Sequence, residues 1–199
     1  MAGSTSNFSA ANITNQFGLF WVGLAVPGAG ARITLHTDGT PESVANPSAK
    51  HLGHTTEGWE ITAATEVEEQ FFDESPTAVD SVINQLNVAL AANLGQTQDI
   101  SGVLQHLTSG FGTYGTAAGY EQIQLGISTL IYTPCALITP TKADITKFFV
   151  YNLYKSKNDA GLANQIRRRG LGNNPVSFKG FAITSRALTD SVGNVWKQI

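Results

Sequence analysis

The sequence predicts a mainly β protein, a β-sandwich or half-barrel with one flanking α-helix, built as a single domain over residues 1–199. Two long stretches alternate apolar and polar residues with a period of two, which is typical of strands. Shorter apolar segments are separated by turn-forming Gly, Pro, Asn and Asp, and only one stretch has helical spacing. A chain of 199 residues is long enough to bury a full hydrophobic core.

The first fifty residues divide into an arm, two strands and a loop. Residues 1–16 are polar and have no hydrophobic period, so we interpret them as a flexible N-terminal arm. Strands are predicted at 17–26 and 32–36. Residues 37–50 contain Asp-Gly and Asn-Pro pairs, which indicate a long loop.

Residues 59–72 and 81–94 predict two facing strands of an antiparallel sheet with one wet face. Their mainly apolar rows are Trp59, Ile61, Ala63, Thr65, Val67, Glu69 and Phe71, and Val82, Asn84, Leu86, Val88, Leu90, Ala92 and Leu94. Their mainly polar rows are Glu60, Thr62, Ala64, Glu66, Glu68, Gln70 and Phe72, and Ser81, Ile83, Gln85, Asn87, Ala89, Ala91 and Asn93. Asp, Ser and Pro at 73–77 predict the turn between them.

These two strands are unusually long. Strands of about a dozen residues exceed the common length of about five or six, and an isolated long hairpin would be marginal in water. Its free edges would also template aggregation. We therefore expect the edges to pair with other copies of the chain and to close into a ring.

A helix and the remaining strands follow in the second half. Thr97 can cap a helix over 97–110, in which Ile100, Val103, Leu104 and Leu107 follow helical spacing, with Gly110 at its exit. We expect this helix to cover the dry face of the sheet. Further strands are predicted at 121–131, 132–138, 147–154 and 176–187, with 111–119 a connection, 155–174 a polar loop and 190–199 a C-terminal tail.

Charge is divided unevenly along the chain. Residues 51–141 contain ten acidic residues and no Lys or Arg, whereas residues 142–199 contain ten basic and three acidic residues. This division favours head-to-tail association of copies through opposite charge. Arg167, Arg168 and Arg169 form the strongest basic run; we interpret it as a contact with another subunit's acidic surface, with phosphate binding as the alternative.

No catalytic, metal or cofactor constellation stands out. His51 and His54 are suitably spaced for a metal but have no convincing third ligand. Glu66 and Glu68 could in principle do acid–base chemistry, but their acidic and polar neighbours favour a solvated wall. Cys135, the one cysteine, has apolar neighbours that indicate a buried, inert thiol. With no apolar run of about 18 residues and no signal-peptide pattern at the start, we expect a cytosolic product without membrane contact.

The order of motifs resembles the tail tube (major tail) proteins of long-tailed bacteriophages. It is carried by KHLGHTTEGWEIT, then the acidic ATEVEEQFFDES, then AVDSVINQLNVALAANLG, the helical TQDISGVLQHL and the closing VSFKGFAITSRALTDSVGNVWKQI.

The resemblance implies a structural virion protein of the tail that is made in the bacterial host cytoplasm. Six protomers would form a ring whose long inner strands close a barrel, and the rings would stack into a hollow tube for DNA ejection. The N-terminal arm, the C-terminal tail of the chain and the loop at 37–50, with Asp38 and Lys50, would contact other subunits. Partners by analogy would be tape-measure, terminator and baseplate proteins.

The acidic strand face agrees with a DNA channel, because like charge repels phosphate and lets the polymer slide without specific binding. On this reading Glu60, Glu66 and Glu68 face the lumen. Two alternatives remain open. One is a β-sandwich module that binds a carbohydrate or receptor through Trp21, Trp59 and Trp196, and the other is a ring protein that does not stack, such as a terminator or baseplate component.

Overall fold

The computed structural model describes residues 18–70, 80–94, 105–108, 112–127, 129–161 and 174–199, which fold into a mainly β protein with an antiparallel main sheet. This confirms the prediction of a mainly β protein. The elements are β1 Leu19–Val22, β2 Lys50–Gln70, β3 Asp80–Leu94, α1 Gln105–Leu107, β4 Gly112–Ala117, β5 Tyr120–Leu125, β6 Thr133–Pro140, β7 Phe148–Asn158, β8 Asn174–Gly180 and β9 Gly193–Lys197.

Seven strands form the main sheet in the order β6-β1-β2-β3-β8-β7-β9. β6 also pairs with β7, so the hydrogen-bonded path from β1 through β2, β3, β8, β7 and β6 returns to β1. One edge of β7 is shared: β8 pairs with its C-terminal end and β9 with its N-terminal half. β4 and β5 form a separate two-stranded sheet.

The first core lies between facing strands of the main sheet. It is built from alternate residues of each strand, because a period of two turns every second side chain inward. Its members are Phe20, Val22, Leu52, Leu90, Leu94, Leu107, Cys135, Leu137, Leu153, Val176, Phe178 and Val192. Full burial of each large member is worth about 1.5–3 kcal/mol relative to exposure.

A second core covers the other side of β1, β6 and β7. The intervening residues of these strands pack against the loop that links β1 to β2, through Leu24, Ile33, Ala136, Ile138, Phe148 and Val150. Gly39 of that loop has φ +82°, and a Cβ there would lie 2.6 Å from the Phe148 ring. The predicted loop at 37–50 is therefore packed onto its own subunit at this point.

A polar clasp fixes the C-terminal region. The Tyr154 hydroxyl donates to Asp190 Oδ1 over 2.8 Å, and the Arg186 guanidinium pairs with the same carboxylate and stacks over the Tyr154 ring. Arg186 Nη1 also donates to the carbonyl oxygen of Pro27 over 2.8 Å, so the clasp ties residues near the C-terminus to the loop after β1.

Several predicted elements differ in the structure. Residues 32–36 form no strand, only an isolated bridge from Leu35 to Pro41, because this segment packs as part of the loop. Residues 190–199 are not simply a tail, since β9 pairs with β7 and seats Trp196 against the second core. β4 occupies part of the segment interpreted as a connection.

Other predictions fall wholly or partly outside the described residues. These are the N-terminal arm, the turn at 73–77, most of the helix at 97–110 and the basic run at 167–169. Of the helix, only the turn α1 is described, and its Leu107 is fully buried in the first core. Within the described parts of the chain, no helix has the length and apolar character needed to cross a membrane.

Candidate functional site: an uncovered β ribbon

β2 and β3 extend beyond every strand that pairs with them. β1 pairs with β2 only up to His54, and β8 pairs with β3 only from Ala89 onward. Among the strands that the structure describes, residues 63–70 of β2 and 80–88 of β3 consequently pair only with each other. We call this two-stranded segment the ribbon. At about 3.3 Å per residue it is roughly 25–30 Å long.

The apolar row of the hairpin starts in the core and runs off its end. Leu90 is fully buried, and Trp59 stacks on Tyr151 with ring centroids 4.9 Å apart. Ile61 and Val88, the next residues outward, are half-buried against the first core. Farther out the row is uncovered: Ala63, Thr65, Val67, Ile83 and Leu86 are all exposed.

A β-bulge corrects the predicted faces at the far end of the ribbon. Glu66 lies opposite Gln85, but Val67 lies opposite Ile83, so Asn84 is the extra residue of β3. Because cross-strand partners share a face, Ile83 joins Val67 on the apolar row rather than the polar row predicted for it. Strict alternation across Asn84 was the wrong assumption.

The three acidic residues predicted to face a lumen lie on the opposite face, and all are exposed. Glu60, Glu66 and Glu68 follow β2 at even spacing, so they share a side of the strand. Glu66 Oε1 accepts a hydrogen bond from Asn87 Nδ2 over 3.1 Å, and Asn87 Oδ1 accepts one from Gln85 Nε2 over 2.8 Å. Of the four carboxylates in the ribbon, Glu69 lies on the same side as Val67, and the other three lie on this face; since the ribbon has no Lys or Arg, the face is anionic.

Of the predicted inter-subunit residues, Asp38 and Lys50 lie in the described part of the chain. Arg167, Arg168 and Arg169 lie outside the described residues. Asp38 Oδ1 accepts bonds from the backbone N–H and the hydroxyl of Thr40, over 2.9 and 2.6 Å, and these bonds hold the pKa of Asp38 below its usual value. Asp38 thus shapes the turn in its own loop.

Lys50 is exposed at the first residue of β2. It lies near His106, whose pKa is lowered mainly by burial and further by the Lys50 charge. Lys50 and the ribbon are therefore at opposite ends of β2, and the two candidate surfaces are separate.

An apolar groove adjoins the ribbon, and sequence reasoning missed it. It has a volume of about 170 Å³ and lies between β2 and β3 on one side and β7 and β9 on the other. Its walls include Ile61, Leu86, Tyr151, Val192 and Val195, and no charged residue lines it. Its two walls come from strands far apart in the sequence, so no local pattern could have predicted it.

Among the residues that the structure describes, no group of three or more His, Cys, Asp or Glu side chains is placed to hold a metal ion. Cys135 is fully buried, as predicted, and burial raises the pKa of its thiol to about 12, although a hydrogen bond from Ser156 opposes this shift. A thiol of that pKa is a poor nucleophile at neutral pH.

The tryptophans are anchored against the cores. Trp59 packs on Tyr151 beside the first core, while Trp21 and Trp196 pack against the second. Trp21 also stacks on His51 with ring centroids 4.9 Å apart. Half-buried, packed aromatics of this kind weaken the hypothesis of a sugar-stacking platform.

A scan against models of known protein families and a search of curated protein sequences each find no match to this chain.

Proposed function

We propose that this chain is a structural subunit that assembles with copies of itself into closed, stacked rings, and that these rings form the hollow tail tube of a long-tailed bacteriophage. The observation that carries the proposal is the ribbon, whose two edges and apolar row have no cover among the described residues. The phage setting comes from the resemblance in motif order.

The free edges favour strand addition between copies. An unpaired edge presents a row of N–H and C=O groups that a second chain can satisfy, a recurring mode of protein association. In the ribbon, the β2 edge and the β3 edge are different surfaces on opposite sides. Pairing β2 of one copy with β3 of the next is a heterologous contact, which produces a ring when the rotation closes.

The apolar row supports the same assembly. Val67 and Ile83 face each other across the ribbon and are 51% and 64% exposed. The described residues of their own subunit cover the row only as far as Ile61 and Val88 and leave Val67 and Ile83 exposed. A neighbouring copy would supply the missing cover.

The anionic face then turns toward the centre of the ring. With the apolar row packed against protein, the opposite face, carrying Glu60, Glu66 and Glu68, lines the hole. Carboxylates repel the DNA backbone and form no counterion-releasing contacts with it, so DNA passes without being held. In this setting six copies per ring, a position in the virion tail and contacts with tape-measure, terminator and baseplate proteins follow from the resemblance.

The charge division across the fold fits contacts between copies. The acidic residues concentrate on the β2–β3 hairpin, whereas β7, β8 and β9 carry Lys155, Lys157, Lys179 and Lys197. Lys157 pairs with Asp159 over 3.4 Å, an exposed contact that leaves this side basic overall. Acidic and basic ends on one subunit favour head-to-tail docking.

Sedimentation and negative-stain electron microscopy of the purified chain test the proposal. We expect rings or hollow tubes, and a chain that stays monomeric at high concentration would contradict it. Single rings that never stack would instead favour a terminator or baseplate role.

A matched pair of variants locates the contact. Val67→Lys places a charge on the uncovered apolar row and should prevent assembly, whereas Ile145→Lys makes a comparable change at a residue that is 70% exposed between β6 and β7 and should not. Equal assembly of the two variants would remove the ribbon from the interface. Circular dichroism checks that both remain folded.

A further inference from the structure

β4 and β5 form a hairpin that stands apart from the main sheet. Its strands pair over six residues each, from Gly112↔Leu125 to Ala117↔Tyr120. The two-residue turn is Ala118-Gly119, with φ of 49° and 83°, the left-handed pair of values that suits a tight hairpin. Neither strand pairs with any other strand that the structure describes.

This hairpin and the segment after it expose an unusual amount of apolar surface. Tyr120 is 75% exposed, Leu125 is 70% exposed and Ile127 is fully exposed, and the row continues through Leu130 and Ile131. At roughly 150–250 Å² for each large side chain, these residues offer on the order of 600 Å². That approaches the about 800 Å² per partner of a standard protein–protein interface.

Charge is almost absent from the same surface. Residues 112–132 include one charged residue, Glu121, and no Lys or Arg. Depletion of charge is the compositional mark of an interface centre, and isolated hairpins are marginal in water. We call the described residues of this segment, 112–127 and 129–131, the arm, which is distinct from the N-terminal arm at 1–16, and treat it as a surface that needs a partner.

The chain itself carries a receptor of matching chemistry. The groove between the ribbon and β7/β9 is apolar and uncharged, and its volume of about 170 Å³ suits one aromatic or branched side chain. Leu86 and Val195 at its walls are still 45% and 60% exposed, so the arm of the same copy does not fill it.

We propose that the arm of one copy docks into this groove on a second copy, with Tyr120 or a neighbouring apolar side chain as the inserted group. The groove shares Ile61, Ala63 and Leu86 with the apolar row of the hairpin, so the arm contact is continuous with the interface proposed at the ribbon. Arm and groove are different surfaces, so each copy can offer its arm to the next copy and its groove to the previous one, which is the arrangement that a ring requires. The inference deepens the proposed function and rests on its self-association.

Disulfide trapping tests the contact. A Tyr120→Cys/Val195→Cys variant should give an intermolecular ladder on mild oxidation, while a Tyr120→Cys/Ile145→Cys control, at a residue that is 70% exposed outside the proposed contacts, should give at least tenfold less. The native Cys135 is buried and does not interfere. Equal cross-linking in the two variants, under conditions in which the wild type assembles, would overturn the arm contact and leave the ring proposal standing.

A charge variant provides an independent measurement. Leu125→Asp should raise the concentration needed for assembly at least tenfold, whereas Leu188→Asp, at another exposed leucine, should leave it unchanged. Specific cross-linking without rings in micrographs would support the contact between arm and groove and overturn the proposed tube. A wild-type chain that remains monomeric would overturn both.

Discussion

Replacing Glu66 and Glu68 by Lys tests whether the anionic face of the ribbon lines a channel. The double change reverses two charges in each copy, whose net charge is −3. Both side chains are exposed, and Glu66 accepts a single exposed hydrogen bond from Asn87. The free energy of unfolding should therefore change by only about 0.5 kcal/mol, as for most surface substitutions.

The effect on DNA is expected to be much larger. A ring of six copies would carry about twelve new lysines, and if about half of them contact phosphate, log K should fall with log salt with a slope of roughly −5. Affinity would then drop by about 10³ between 50 and 200 mM salt. Tubes of the variant should retain DNA at low salt and release it at high salt, whereas wild-type tubes should retain none.

Co-sedimentation of tubes with DNA provides the measurement, and DNA topology provides the internal control. A short linear duplex can enter a tube, but a covalently closed circle cannot, so the variant should retain the linear form selectively. Val44→Lys/Leu188→Lys adds two lysines at exposed residues outside the ribbon and should show no such selectivity. Equal retention of circles and linear DNA by the Glu66/Glu68 variant would place those residues on the outer surface and refute the channel.

Three further predictions concern the protomer. Tyr154→Phe should lower the free energy of unfolding by about 1 kcal/mol, or the Tm by about 2–4 °C, because it removes the hydrogen bond to Asp190. The same change at the exposed Tyr120 serves as the control. Equal Tm values for the two variants would contradict the stabilising role of the clasp. Hydrogen bonds from Tyr154 and Arg186 lower the pKa of Asp190, so its stabilisation is present above the unfolded pKa near 3.8 and is lost as pH falls through the folded value. Asp190→Asn should flatten this part of the acid-unfolding curve, and an unchanged curve would refute the assignment. Cys135 should react with a thiol reagent only after the chain unfolds, because the thiol is buried and its pKa is raised. Rapid labelling of the native chain would contradict this prediction.

Most of the features that could be predicted from the sequence, the two long strands and the residues on each face, follow from the period of two in the hairpin. Alternation from Trp59 outward located both long strands and predicted that Glu60 and Glu66 lie on the other face of β2 from Ile61, because one face must meet the core. It could not show the bulge at Asn84, since a bulge adds a residue without changing the local composition. Ile83 was consequently assigned to the wrong face.

Other features depended on contacts between distant segments. β9 has the short, mixed sequence of a tail, and it becomes a strand because β7 offers it an edge and the second core accepts Trp196. β4 is rich in Gly and Thr and lacks a strong apolar row, so its pairing with β5 follows from the tight turn at Ala118-Gly119. The groove likewise required the relative placement of β3 and β9.

Charge on the ribbon also selects among the ways in which its edges could pair. Glu66, Glu68 and Glu69 lie on β2, whereas the described part of β3 carries only Asp80. Pairing two β2 edges would set carboxylates against carboxylates, and like charges directly opposite on neighbouring strands are destabilising. Pairing β2 with β3 of the next copy avoids that repulsion. The charges therefore disfavour a two-fold dimer through the β2 edges, and because the ribbon lacks the Lys and Pro that commonly block exposed edges, head-to-tail closure stays open.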